Sequence, residues 1–191
     1  MNLAMLILSL FFYSENHNHL QTNVSWTTDT SLSSADVVYF DPVKNLEWDD
    51  FAGVPPDGGR AAAVTVSGFG YLANVNTRAG SGAIDIKVYC YFHKNKSWVK
   101  PGRNTSYILR HEQHHFDISY IAASLFAEKL KHADFTAGNY DQLLSQLYDE
   151  STAVMNKLQD DYDGETKNGQ LRDVQAQWNE NVDARINHII R

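Results

Sequence analysis

The chain has 191 residues, which is enough for one domain with a substantial core and too few for two ordinary domains. A hydrophobic fraction of 43% and a charged fraction of 20% indicate an ordinary globular protein. The net charge of −7 argues against nucleic acid or an anionic membrane as the main partner. The single cysteine, Cys90, excludes an internal disulfide, and its place in an apolar alternation predicts a buried side chain rather than a catalytic thiol.

The N-terminal segment begins with an apolar run over residues 3–13. This run is too short to span a bilayer and has the length of a signal-peptide core. It lacks a preceding basic residue, because the first Lys or Arg is Lys44, and no A-x-A-like cleavage site follows. We predict an exported protein in which residues 1–35 are a signal-like segment and a polar linker, with no stable membrane span. The alternative is a disordered tail with an apolar tip.

Residues 36–100 show mainly the period-two alternation of β-strands. Strands are predicted over residues 37–40, 61–76 and 83–93, with a Gly-rich turn between the last two. Residues 101–191 change to helical patterning, and helices are predicted over residues 104–132, 139–159 and 171–190. The predicted fold class is therefore α+β: a single domain over residues 36–191, with a small antiparallel sheet followed by a three-helix half.

An H-E-x-x-H motif, residues 111–115, opens the first predicted helix. His111 and His115 are four residues apart, so their Cβ atoms lie roughly 5–6 Å from each other and both rings can reach one point. In this motif two neutral imidazoles bind Zn²⁺ and the glutamate, here Glu112, is the general base that activates water. His114 is predicted to lie on the polar flank of the helix. A structural role for the histidines in the core remains an open alternative.

The helix pattern also predicts where a third metal ligand lies. The first two helices are joined by a short connection, so they should be antiparallel neighbours. At 1.5 Å per residue the return brings residues 160–169 beside the two histidines. A catalytic zinc site normally uses three protein ligands, and this segment is the place to look for the third.

Four segments of the chain, in order, resemble a bacterial family with a domain of unknown function that is described as secreted zinc-dependent proteases. They are LEWDDFAGVPP at 46–56, KSWVK at 96–100, LRHEQHHFDI at 109–118 and YDGETKNGQ at 162–170. The resemblance covers residues 46–178. It implies a zincin-like fold, Zn²⁺ on His111 and His115, and Glu112 as the general base. The family's later segment reads Y-D-x-x-T-x-H-G, whereas this chain has Asn168 at the histidine position.

This departure leaves the third ligand open. Asn168 is a poor replacement for histidine because a neutral amide oxygen is a weak zinc donor, so Asp163 or Glu165 is expected to supply an oxygen ligand instead. Tyr162 is a candidate for polarising a substrate carbonyl, with simple packing as its alternative. Asp117 is expected to hold an imidazole rather than to bind the metal.

The sequence as a whole predicts a zinc-dependent metallopeptidase that hydrolyses peptide or protein substrates. The substrate is expected to lie along an edge strand of the sheet. The alternative, favoured by Asn168, is a catalytically degenerate binding module that keeps the zincin frame. A third interpretation, with structural histidines, makes the protein a plain scaffold. No feature of the sequence predicts an oligomeric state.

Overall fold

The computed structural model describes residues 19–78 and 81–191. Within these residues the protein has an α+β fold, as predicted. Its strands are β1 (Leu20–Trp26), β2 (Val37–Tyr39), β3 (Ala63–Val64), β4 (Ser67–Arg78), β5 (Ser81–His93) and β6 (Trp98–Val99). Its helices are a short 3-10 helix (Trp48–Asp50) and the long helices α1 (Ser106–His132), α2 (Tyr140–Thr166) and α3 (Arg172–Ile189).

β5 is the central strand of the main sheet. β4 pairs with it antiparallel along one edge. The other edge is shared by β1, which runs parallel to β5, and by β2, which runs antiparallel to it nearer its C-terminal end. β3 and β6 form a separate antiparallel ribbon. The predicted antiparallel pairing is therefore confirmed for β2, β4 and β5, and the parallel strand β1, which was not predicted, makes the sheet mixed.

The prediction that the chain before residue 36 is a polar linker is wrong for β1. Residues 20–26 are a strand, in which Leu20 is buried and Val24 packs against the core while Gln21 and Asn23 are exposed. Its polar composition hid this alternation, because only one face of the strand meets the core. The signal-like run over residues 3–13 lies outside the described residues, as does the rest of the chain before residue 19.

The main core lies between β5 and α1. Alternate residues of β5 are at most 3% exposed, which confirms the predicted alternation and the burial of Cys90: Ile84, Ile86, Val88, Cys90 and Phe92. Ala122, Phe126 and Leu130 of α1 belong to the same core cluster and are fully buried. Burial of each large apolar side chain stabilises the fold by about 1.5–3 kcal/mol. This packing fixes α1, and with it the H-E-x-x-H motif, against the sheet.

α1 and α2 are antiparallel, as predicted. Residues at opposite ends meet, since Lys129 forms an ion pair with Glu150 while His111 contacts Asp163. α2 is longer than predicted and ends at Thr166 rather than Gln159. It continues because Tyr162 and Thr166 extend its buried face. Every helix in residues 19–78 and 81–191 is too short or too polar to cross a lipid bilayer.

Candidate metal centre

Three side chains from two helices bring hydrogen-bond acceptor atoms to one point. The Nε2 atoms of His111 and His115 on α1 lie 3.3 Å apart. Asp163 Oδ1 on α2 lies 3.2 Å from each of these nitrogens. The two histidines are largely buried, at 8% and 13% side-chain exposure, whereas Asp163 is 41% exposed. These residues form the metal-ligand cluster, a group that can hold a metal ion.

The dimensions of the cluster fit a tetrahedral ion. Bonds of about 2.0–2.1 Å at tetrahedral angles would place ligand atoms about 3.3 Å from one another. The three observed separations, 3.2, 3.2 and 3.3 Å, agree with that spacing. Three protein ligands also leave the fourth tetrahedral position free. The cluster therefore has the size and the ligand number of an open metal site.

Gln159 on α2 fixes the tautomer of His115. Its side-chain nitrogen donates to the backbone carbonyl of His115 at 2.8 Å, which is an interaction that only the amide nitrogen can make. The amide oxygen of Gln159 must then be the atom that faces His115 Nδ1. Nδ1 therefore carries the ring proton and donates it to Gln159. In the neutral ring Nε2 is left with a lone pair directed at the cluster.

Gln175 on α3 fixes His111 in the same way. Its amide nitrogen donates to the hydroxyl of Tyr162 at 2.6 Å, and that hydroxyl donates to the backbone carbonyl of His111 at 3.3 Å. The amide oxygen of Gln175 accepts from His111 Nδ1 at 2.9 Å. The ring of Tyr162 also stacks on His111, with centroids 4.7 Å apart. Both histidines thus direct a lone pair at Asp163.

Three lone-pair acceptors this close together require a cation between them. With both rings neutral no hydrogen lies between the nitrogens and Asp163 Oδ1, and the described residues give that oxygen no hydrogen-bond partner. In the absence of a metal ion, a proton is the available cation. Burial lowers the pKa of His115, but Asp163 and Glu112 raise it by more. Burial raises the pKa of Asp163, but His111 and His115 hold it well below its usual value.

Glu112 lies beside the cluster and lines the same cavity. The residue is 4% exposed, and its Oε2 has no hydrogen-bond partner. It lines a cavity of about 780 Å³ together with the three cluster residues. β3 lines this cavity from a second side, and the turn after α2 lines it from a third. A buried carboxylate oxygen without a hydrogen-bond partner is costly to the fold, and this one lies in the same cavity as the metal-ligand cluster.

The turn after α2 packs directly on His111. Lys167 and Asn168 both have left-handed backbone conformations, with φ of 53°, and Gly169 follows with φ of 75°. A Cβ at Gly169 would make a tight 3.3 Å contact with His111 Nδ1, and the positive φ also favours glycine at this position. Tyr107 donates its hydroxyl proton to the Gly169 carbonyl at 2.6 Å. The turn therefore packs against the Nδ1 side of the His111 ring.

Of the candidates in residues 160–169, the structure brings Asp163 to the histidines. Glu165 instead is exposed and accepts a hydrogen bond at 2.8 Å from Nε1 of Trp178, which lies on α3. Asn168 lines the cavity but contributes no atom to the cluster. Asp163 lies on α2 rather than in a loop, because the helix continues past the predicted end.

Tyr162 is fully buried, and its hydroxyl is engaged by Gln175 and His111, which agrees with the packing alternative and not with a role in polarising a substrate carbonyl. The position predicted for His114 needs correction. His114 is not on a polar flank but fully buried, because Asp117 and Arg110 bind its two ring nitrogens at 2.8 and 3.2 Å. Asp117 does hold an imidazole, as expected, and that imidazole belongs to His114 rather than to a cluster histidine.

Gln159 and Gln175 were not among the residues selected from the sequence. Gln159 lies one helical turn before Asp163, and so shares its face of α2. This spacing becomes a signal only once Asp163 is known to face α1. Gln175 reaches the site from α3, and no local pattern connects it with His111.

Comparison of the chain with protein-family models, with curated proteins and with solved structures gives no match. The family resemblance and the zincin-like fold therefore remain predictions. The functional interpretation rests on the geometry of the cluster and its cavity.

The first prediction concerns the third ligand. Asp163→Ala should weaken zinc binding by about 10-fold or more, because the loss of one ligand bond costs at least ~1.4 kcal/mol. The matched control is Glu165→Ala, which removes a carboxylate two residues away that lies outside the cluster. Zinc affinity is measured by titration against a chromophoric chelator. Equal affinities in the two variants would exclude Asp163 as a ligand.

The second prediction concerns pH. The pKa of His115 is raised in the folded protein, so its protonated ring stabilises the metal-free fold at pH values below the ordinary histidine pKa of about 6.5. This stabilisation is lost as the pH rises through the raised pKa. The pKa of Asp163 is lowered in the folded protein, so its carboxylate stabilises the fold at pH values above about 4. This stabilisation is lost as the pH falls through the lowered pKa. Zinc requires the neutral ring, so protons and metal compete. The increase in Tm caused by zinc should be larger at pH 8 than at pH 5.5. An equal or smaller increase at pH 8, measured against chelator-treated protein, contradicts this account.

Proposed function

We propose that the protein is a zinc-dependent peptidase that hydrolyses peptide bonds with Glu112 as its general base. The observation that carries this proposal is the buried carboxylate of Glu112, whose Oε2 has no hydrogen-bond partner among the described residues, beside three converging ligand atoms that line the same cavity. A metal-binding site without hydrolytic function has no need of such a carboxylate.

The ligand set supports zinc as the metal. Two imidazole nitrogens and one carboxylate oxygen, at tetrahedral spacing, are the donors that catalytic zinc sites use with a fourth position left open. When bound there, zinc would lower the pKa of water toward about 7 and polarise a substrate carbonyl. The hydrogen bonds to Gln159 and Gln175 hold both rings in the tautomer that this binding requires.

Glu112 then moves the proton that the reaction displaces. Its carboxylate takes a proton from the water that attacks the carbonyl carbon, and returns it to the amine as the peptide bond breaks. Its burial in the cavity places it out of bulk water, and no neighbouring donor competes for its Oε2. In this mechanism the three cluster residues would bind the metal, and Glu112 would transfer the proton.

The free edge of β3 supports an extended peptide as the substrate. Lys100 donates its backbone N–H to Ala62 at 2.8 Å, and β3 and β6 pair through Ala63↔Val99 and Val64↔Trp98. Because hydrogen-bonded and non-bonded pairs alternate in an antiparallel ladder, the N–H and C=O of Ala63 point away from β6. Ala63 lines the cavity, so these two main-chain groups are the ones with which a substrate strand would pair.

The alternative is a metal-binding module without turnover. It was favoured by Asn168, which is a poor ligand. Asp163 offers a carboxylate oxygen in place of the missing histidine, so Asn168 no longer argues against activity. The position of Glu112 favours the enzyme.

Glu112→Gln tests the proposal, because the amide keeps the shape of the side chain and loses the base. Hydrolysis of a quenched-fluorescence peptide library by the zinc-loaded protein should fall by about 100-fold or more. Zinc affinity and Tm should stay close to the wild-type values. Glu165→Gln, which changes an exposed carboxylate in the same region, is the control and should retain activity. A Glu112→Gln variant with the wild-type rate would place the chemistry elsewhere, and a wild-type protein that binds zinc but cleaves no peptide would favour the binding module.

A further inference from the structure

Folding brings three cations together around the cavity, although no basic cluster is visible in the sequence. Arg60 precedes β3, Arg103 precedes α1, and Lys167 follows α2. All three are exposed, and within the part of the chain that the structure describes none has an ion-pair partner. They form the cationic rim of the cavity.

The rim contrasts with the charge of the protein as a whole. The chain carries a net charge of −7, yet among the described residues the only carboxylates lining the cavity are Glu112 and Asp163. A bound divalent ion balances the charge of those two groups. The three cations of the rim then remain as a positive excess that faces the substrate, on a molecule that is otherwise acidic.

The surrounding backbone strengthens this field. Tyr107 and Ile108, in the first turn of α1, line the cavity, and this turn contains no acidic residue. The positive end of the helix dipole is therefore uncompensated there. Lys100 donates from Nζ to the carbonyls of Gly58 and Gly59 at 3.0 and 2.8 Å, which anchors the loop directly before Arg60.

We propose that the cavity selects peptides that carry several acidic side chains close to the bond at the metal. This inference rests on the proposed peptidase function and names its substrate class. The three cations come from separate segments and all line the cavity, so the cavity offers a positive group to each of several carboxylates rather than to one. The free edge of β3 offers main-chain pairing to a peptide, and the net charge of −7 disfavours a long nucleic acid.

The test compares two fluorescein-labelled ten-residue peptides that differ only in having Glu or Gln at four positions. Binding is measured by fluorescence anisotropy to zinc-loaded Glu112→Gln protein, so that affinity is read without cleavage. The Glu peptide should bind about 10-fold more tightly at low salt, and the difference should shrink as salt screens the rim.

Two charge-matched triple variants locate the effect. Arg60→Gln, Arg103→Gln and Lys167→Gln together should remove the preference for the Glu peptide. Lys44→Gln, Lys87→Gln and Arg185→Gln remove the same charge from exposed residues that do not line the cavity, and should preserve the preference. Comparable Tm values in the two variants show that both are folded.

Equal affinities for the two peptides would overturn the inference, as would a preference that survives loss of the rim cations. Competition by a single-stranded oligonucleotide of the same charge, at least as strong as that of the Glu peptide, would also overturn the assignment to peptides. Cleavage is assayed separately with zinc-loaded wild-type protein. If no peptide is cleaved but the rim-dependent preference is present, the proposed hydrolysis fails while the recognition of acidic peptides stands.

Discussion

The structure depends on the convergence of three lone pairs at one point between α1 and α2. His111 Nε2, His115 Nε2 and Asp163 Oδ1 lie 3.2–3.3 Å from one another, close enough to repel unless a cation lies between them. A proton neutralises one contact, whereas a metal ion with three coordination bonds satisfies all three. This repulsion explains why so much of the helical half is arranged to hold these atoms in place.

That support comes from all three long helices. Gln159 on α2 and Gln175 on α3 each bind one ring, and Tyr162 connects Gln175 to the backbone of His111. The sheet holds α1 from its other side through the buried core around Phe126. Because the supporting groups lie on packed helices rather than loops, the atoms of the cluster are held in place without a metal, which would reduce the ordering cost of binding one.

The sequence predicted those parts of the site that depend on spacing along one helix. His111, Glu112 and His115 follow from the H-E-x-x-H pattern, and the antiparallel return of α2 limited the third ligand to a short segment. The partners Gln159 and Gln175 could not be predicted in this way, because their role depends on the rotation of two helices about their axes. The cations of the rim were missed for the same reason, since the segments that carry them are distant along the chain.

The fold, like the site, was predictable from local patterns but not where distant segments meet. The alternation of β5 and the helical patterning of the second half were readable from local periodicity, whereas the parallel pairing of β1 with β5 was not. A short polar strand gives little signal until its neighbour is known.

The most direct test of the account is a crystal structure of the zinc-loaded protein with anomalous diffraction measured on both sides of the zinc absorption edge. The account predicts one anomalous peak about 2.0–2.2 Å from His111 Nε2, His115 Nε2 and an Asp163 carboxylate oxygen, with its fourth position facing the cavity. A zinc ion bound at other residues, or no peak at this cluster, would contradict it.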